Sequence, residues 1–166
     1  MPLYKTHKTN LVILAIIAVA ALSRLVPHAP NFTPITAIAL FGGVHFSNKI
    51  MAYTLPLIIM ILSDLFLGFS SITVFVYLAF MLASFIGIQR KTMTLGTVLS
   101  GSVSFFVITN FGVWLLGYPK TWTGLAECYT LALPFFRNSL LGDLFYSGVM
   151  VLGYHFFQKY YLRKAN

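Results

Sequence analysis

Between Pro34 and Phe46 the chain is apolar but only thirteen residues long. That is about 20 Å of helix at ~1.5 Å per residue, too short for the ~30 Å hydrocarbon core of a bilayer. The surrounding stretch, PHAPNFTPITAIALFGGVHF from Pro27 to Phe46, is broken by prolines and flanked by apolar runs of membrane-crossing length. A short or interrupted helix is tolerated at membrane depth where neighbouring helices or a water-filled cavity meet its open backbone groups. The segment therefore predicts a helix enclosed by others beside a cavity. Asn31 and Thr33 precede Pro34, which reads as an N-cap followed by a first-turn proline. The N-terminus of this helix would offer partial positive charge to a polar or anionic group.

The rest of the chain predicts an all-α protein with a single integral membrane domain over residues 1–166. Its residues are 58% hydrophobic and only 8% charged, where soluble chains carry about 25% charged residues. Six spans are expected at about 11–26, 34–46, 50–69, 72–88, 95–116 and 139–157. Ala18-Val19-Ala20 resembles a signal cleavage site, but Arg24 in the same run and the close succession of later spans favour a retained first helix. Pro56 predicts a kink in the third span. Gly96, Ser100, Gly101 and Ser104 give the fifth a small-residue face for close packing. Residues 117–138, GYPKTWTGLAECYTLALPFFRN, mix aromatic, charged and hydroxyl residues between prolines, and predict a structured outer loop or interfacial helix.

Six spans put both termini on one side. Lys5, Lys8, Lys49, Arg90, Lys91, Lys159, Arg163 and Lys164 collect there with no acidic residue. The other side receives Arg24, Lys120 and Arg137 with Asp64, Glu127 and Asp143. By the positive-inside rule the termini are cytoplasmic, so the net charge of +8 records topology and requires no nucleic acid.

The outer half holds all three acidic residues. An intramembrane charge is costly unless paired or hydrated, so Arg24 and Asp64 are either an ion pair that fixes packing or ligand contacts. Asp143, one turn into the sixth span, is either the partner of Arg137 or a first-turn acid favoured by the dipole of that helix. Asn31, Asn110 and Asn138, with Trp114, Tyr118 and Trp122, provide fixed hydrogen-bonding groups and apolar faces of the kind that line small-molecule sites. Each aromatic taken alone is an ordinary interfacial anchor. The predicted substrate-binding set is Arg24, Asn31, Asp64, Asn110, Trp114, Tyr118, Trp122, Asn138 and Asp143. The chain carries no catalytic signature of the H-E-x-x-H or G-x-S-x-G type and no phosphate-binding loop. It is read as a non-enzyme with no cofactor or metal. His45 and His155 are taken as interfacial, and Cys128, the single cysteine, as a free thiol.

Six spans in 166 residues, the proline-rich approach to a short second span, A-L-F-G-G at Ala39 to Gly43, and Ser63-Asp64 followed by Leu67-Gly68 resemble the substrate-binding S components of energy-coupling-factor vitamin transporters. R-L-x-P-H-x-P-N-F-T-P, T-N-F and P-F-F-x-N are similar to an uncharacterised group of bacterial transport proteins related to them. The resemblance implies a six-helix membrane fold in the bacterial cytoplasmic membrane that captures a vitamin-like small molecule from outside. It also implies docking onto a membrane coupling subunit driven by an ATPase pair. Many S components dock through A-x-x-x-A on the first helix. Here Ala15, Ala18 and Ala21 are spaced by three, so a solitary transporter is the companion reading. A membrane enzyme using the outer carboxylates and a membrane scaffold are the alternatives from other classes.

Overall fold

The structure is a computed structural model, and it describes residues 3–162. The described residues form six α-helices: α1 (Leu3–Leu22), α2 (Ile35–His45), α3 (Lys49–Leu67), α4 (Thr73–Arg90), α5 (Leu95–Gly117) and α6 (Trp122–Phe157). A 3₁₀ turn at Ser23–Leu25 extends α1, and a π turn at Gln158–Leu162 follows α6. Five helical stretches are long and apolar enough to cross a membrane, and Ile35–His45 is the short exception. Many large apolar side chains point outward, among them Phe66, Val74, Leu78, Val107 and Leu152. A surface of that kind is stable against lipid rather than water.

The short helix α2 is the axis of the bundle. Residues Thr36 to Gly43 are all buried, and α2 touches each of the other five helices. Its two consecutive glycines make this possible. A Cβ on Gly42 would meet Pro56 Cγ at 2.5 Å, so Gly42 admits α3 at the turn where Pro56 leaves the Ala52 carbonyl without its helical donor. A Cβ on Gly43 would collide with the Ser84 carbonyl oxygen and lie 3.0 Å from Gly87 Cα. The α2 and α4 backbones are therefore in direct contact across Gly43 and Gly87.

Two sequence expectations are corrected. Residues 122–138 are not a loop: α6 begins at Trp122 and runs 36 residues with Pro134 inside it. It absorbs both the expected outer segment and the expected span at 139–157. Gly124, Cys128 and Ala132 are buried at every fourth position; Gly124 sits against the Pro119 carbonyl of the preceding turn, and Cys128 Sγ donates to the Asn110 carbonyl of α5. Nor does Asn31 or Thr33 cap α2. The cap position is Pro34, without a side-chain hydrogen bond, and Asn31 has φ +62°, a left-handed conformation that asparagine tolerates better than most residues.

Lys49 opens α3 and Arg90 closes α4, so these basic residues share the end of the bundle where α2 terminates. Arg24, Lys120 and Arg137 are carried by the opposite end. Arg163 and Lys164 lie outside the described residues.

Candidate functional site

An eleven-residue helix is about 16 Å long at ~1.5 Å per residue, so α2 fills only part of the bundle axis. Beyond its N-terminus lies a cavity of about 550 Å³, within the size range of small-molecule sites. Asn31, Thr33 and Ile35 line it at the start of α2; Ile72 and Val76 come from α4; Phe105, Phe106, Thr109, Asn110 and Val113 from α5. Cys128, Leu131, Ala132, Phe135, Phe136 and Ser139 of α6 and Tyr118 of the α5–α6 turn complete the wall. The loop before α2 is held in place by α6: Asn138 Nδ2 donates to the Pro30 carbonyl at 3.1 Å, and Phe32 packs against Phe145 and Tyr146. Gly142 lets that loop sit close, since a Cβ there would be 3.0 Å from the Thr33 nitrogen.

Arg24 reaches the cavity from the 3₁₀ turn. Its Nη2 pairs with Asp64 Oδ1 at 2.7 Å, and Nη1 donates to Ser63 Oγ and contacts Met60 Sδ. Tyr77 of α4 donates its hydroxyl to Asp64 Oδ2 at 2.8 Å. The charge pair thus ties α1, α3 and α4 together behind the cavity wall.

Of the nine residues expected to bind substrate, Arg24, Asn31, Asn110 and Tyr118 line the cavity. The other five are placed elsewhere. Asp64 holds Arg24 from behind. Asn138 pins the α1–α2 loop. Trp114 donates its indole N–H to the Pro119 carbonyl at 3.0 Å and carries Lys120 over its ring, so it builds the α5–α6 turn. Trp122 is 86% exposed.

Asp143 is almost wholly buried below the cavity, accepting from Ser102 Oγ at 2.7 Å. Its carboxylate lies against the first turn of α2 at Thr36 and Ala37, and its Oδ1 is buried with no hydrogen-bond partner. Asp143 is not a first-turn acid of its own helix, since α6 begins at Trp122; it lies instead against the N-terminus of α2. The amides that open α2 have no side-chain cap, and a carboxylate from α6 supplies negative charge where the dipole favours it.

The wall residues that sequence reasoning passed over are Phe105, Phe106, Phe135 and Phe136, two consecutive pairs on facing helices. Phe106 and Phe136 pack with ring centroids 4.6 Å apart. The signal was present in P-F-F-x-N, but reading that stretch as an outer loop or interfacial helix, apart from the sixth span, hid the face it shares with α6. Asn110 Nδ2 is committed to the Phe106 carbonyl at 2.8 Å, which orients the side-chain amide and leaves its oxygen as the group to offer a ligand. His45 packs against Phe41 and Tyr154. Among the described residues no group of three or more His, Cys, Asp or Glu side chains is gathered as a metal site.

A helical bundle with five membrane-length apolar helices, a buried short helix at its axis and a cavity above that helix defines a multi-pass helical membrane protein. The chain belongs to a family described as a family of unknown function (DUF6580), matched over residues 4–165. No curated protein and no solved structure matches it.

Proposed function

We propose that the protein binds a vitamin-like small molecule from the outer side of a bacterial cytoplasmic membrane and serves in its uptake. It would act as the substrate-binding component of an energy-coupling-factor-type transporter or as a solitary transporter. The observation that carries this reading is the cavity of about 550 Å³ above α2, mostly apolar and aromatic with a few polar groups among them. A scaffold would fill that space with side chains. A membrane enzyme would need a competent pair among Asp64, Glu127 and Asp143, yet no hydrogen bond or ion pair joins any two of them, and Glu127 is exposed. The likeness to S components rests on the motif residues, and the requirement for a coupling subunit and ATPase pair is part of the same proposal.

The orientation follows from charge: the end bearing Lys49, Arg90 and Lys91 faces the cytoplasm, and the cavity end faces outward. A cysteine placed at position 90 is then expected to react with a membrane-impermeant maleimide only from the cytoplasmic side, and one at position 122 only from outside. The reverse pattern would overturn the orientation.

Mass spectrometry of small molecules released from the purified protein tests the function directly. A stoichiometric organic ligand is expected, and Asn110→Ala should weaken its binding by about 1–3 kcal/mol through loss of the oriented amide. Retention of full affinity in that variant would remove Asn110 from the site.

A further inference from the structure

Arg24 is the one charged residue in the cavity wall, and its charge is already met. Nη2 pairs with Asp64 and Nη1 donates to Ser63, while Nε is buried out of reach of the cavity. No carboxylate lines the wall. An ion entering this space would shed its water with no unpaired opposite charge to replace it, which is costly. The other polar wall groups are neutral, and those on α5 are acceptors. Thr109 spends its single hydroxyl proton on the Phe105 carbonyl at 2.8 Å, so it can only accept. Asn110 gives Nδ2 to the Phe106 carbonyl; the flipped amide would set two oxygens against each other, so the bond fixes which atom is the oxygen. Asn110 Oδ1 has no partner in the protein, yet it keeps accessible surface: the buried unpartnered side-chain atoms among the described residues are Arg24 Nε, Ser84 Oγ, Asp143 Oδ1 and Ser147 Oγ. Phe106, Thr109, Asn110 and Val113 form the α5 face that lines the cavity, with Asn110 in the middle of it, so this surface opens into the cavity. Phe106, one turn away on the same face, brings its ring pair with Phe136 next to the amide.

We propose that the cavity takes an uncharged planar ring that carries a hydrogen-bond donor, a ring N–H or O–H, and directs it at Asn110 Oδ1. This names the ligand class of the small-molecule site above and rests on that reading. The ring packs on Phe106 and Phe136, where aromatic contacts add to apolar burial, and its donor meets the free amide oxygen. A ligand of the same shape without the donor covers that oxygen and leaves it unpaired, which forfeits its hydration for nothing in return. Ions of either sign are disfavoured. A cation finds no acidic side chain in the wall, and an anion meets an arginine that Asp64 has already neutralised.

The test uses matched bicyclic probes on the purified protein in detergent. They are 2-quinolone, a neutral lactam with a ring N–H; its N-methyl derivative, which lacks the donor; its 4-methyl derivative, which keeps the donor and adds the same bulk; and the ions 2-naphthoate and 2-naphthylmethylammonium. Binding is read by calorimetry and by thermal shift. The two N–H lactams are expected to bind about tenfold or more tightly than the N-methyl lactam and than either ion. Asn110→Leu removes the acceptor at similar size, and in that variant the N–H and N-methyl lactams are expected to bind alike. Equal binding of the N–H and N-methyl lactams to the wild-type protein overturns the inference, as does an ion that binds as tightly as the lactams, or a preference for N–H that survives in folded Asn110→Leu. Each of these results leaves the small-molecule site standing. The wild-type series decides the question even where the variant fails to fold. If no probe binds, the co-purified molecule decides: an uncharged ring with a donor supports the inference and any other structure overturns it. Absence of both overturns the site along with it.

Discussion

Asp64→Leu is expected to lower stability by about 3–5 kcal/mol, because it strands the Arg24 guanidinium in a buried setting. Both side chains of the pair are about a tenth exposed, at 10% and 11%, so water does little to screen or replace the lost partner. The same change removes the acceptor for the Tyr77 hydroxyl and with it the polar tie between α3 and α4. The double variant Arg24→Leu with Asp64→Leu is expected to recover much of the loss, since two apolar side chains leave no charge uncompensated. Denaturant or thermal unfolding in detergent on the two single variants and the double variant gives the coupling. If the two losses simply add, or if Asp64→Leu costs less than about 1 kcal/mol as exposed pairs do, the pair is not what joins these helices.

The second large effect falls at the glycine crossing. Gly43→Ala places a methyl group against the Ser84 carbonyl and 3.0 Å from Gly87 Cα. Both neighbours are backbone, so no side chain can rotate away and the α2 and α4 axes must separate. Overpacking of this kind costs about 1–3 kcal/mol and sometimes more, and with backbone on both sides the upper part of that range is expected. It outweighs the gain of up to about 1 kcal/mol from replacing a helical glycine by alanine. Gly148→Ala and Gly153→Ala, inside α6 with open space around the added methyl, isolate that gain and are expected to be neutral or stabilising. Equal melting temperatures for Gly43→Ala and Gly148→Ala would show that the two helices do not cross as closely as described. Because α2 also carries the floor of the cavity, separation of α2 from α4 should weaken ligand binding along with stability.

The sequence by itself determined that this chain is helical and apolar, and that the segment before Phe46 had to be enclosed. Hydrophobic run length alone carries that information, because in lipid each backbone group must be satisfied within its own helix. The glycine pair of A-L-F-G-G was visible as a motif, although its separate partners, Pro56 on one side and the Gly87 turn on the other, were not. The course of residues 122–138 was left between a loop and an interfacial helix because polarity and Pro134 imitate a loop. The contacts of Gly124 with the preceding turn and of Cys128 with α5 exist only in the folded chain. Site membership was likewise a tertiary matter. Asn31, Asn110, Asn138 and Asp143 look alike in the chain as polar residues at one depth, yet a rotation of about 100° per helical residue separates facing the cavity from facing a neighbour. Thus Asn138 turns to the Pro30 carbonyl while Ser139 faces the cavity, and Asp143 meets α2 instead of its own helix. The cavity exists because α2 stops short of spanning the bundle. That length could be read from thirteen letters, but which side chains surround the space it leaves was decided by how five longer helices pack around it.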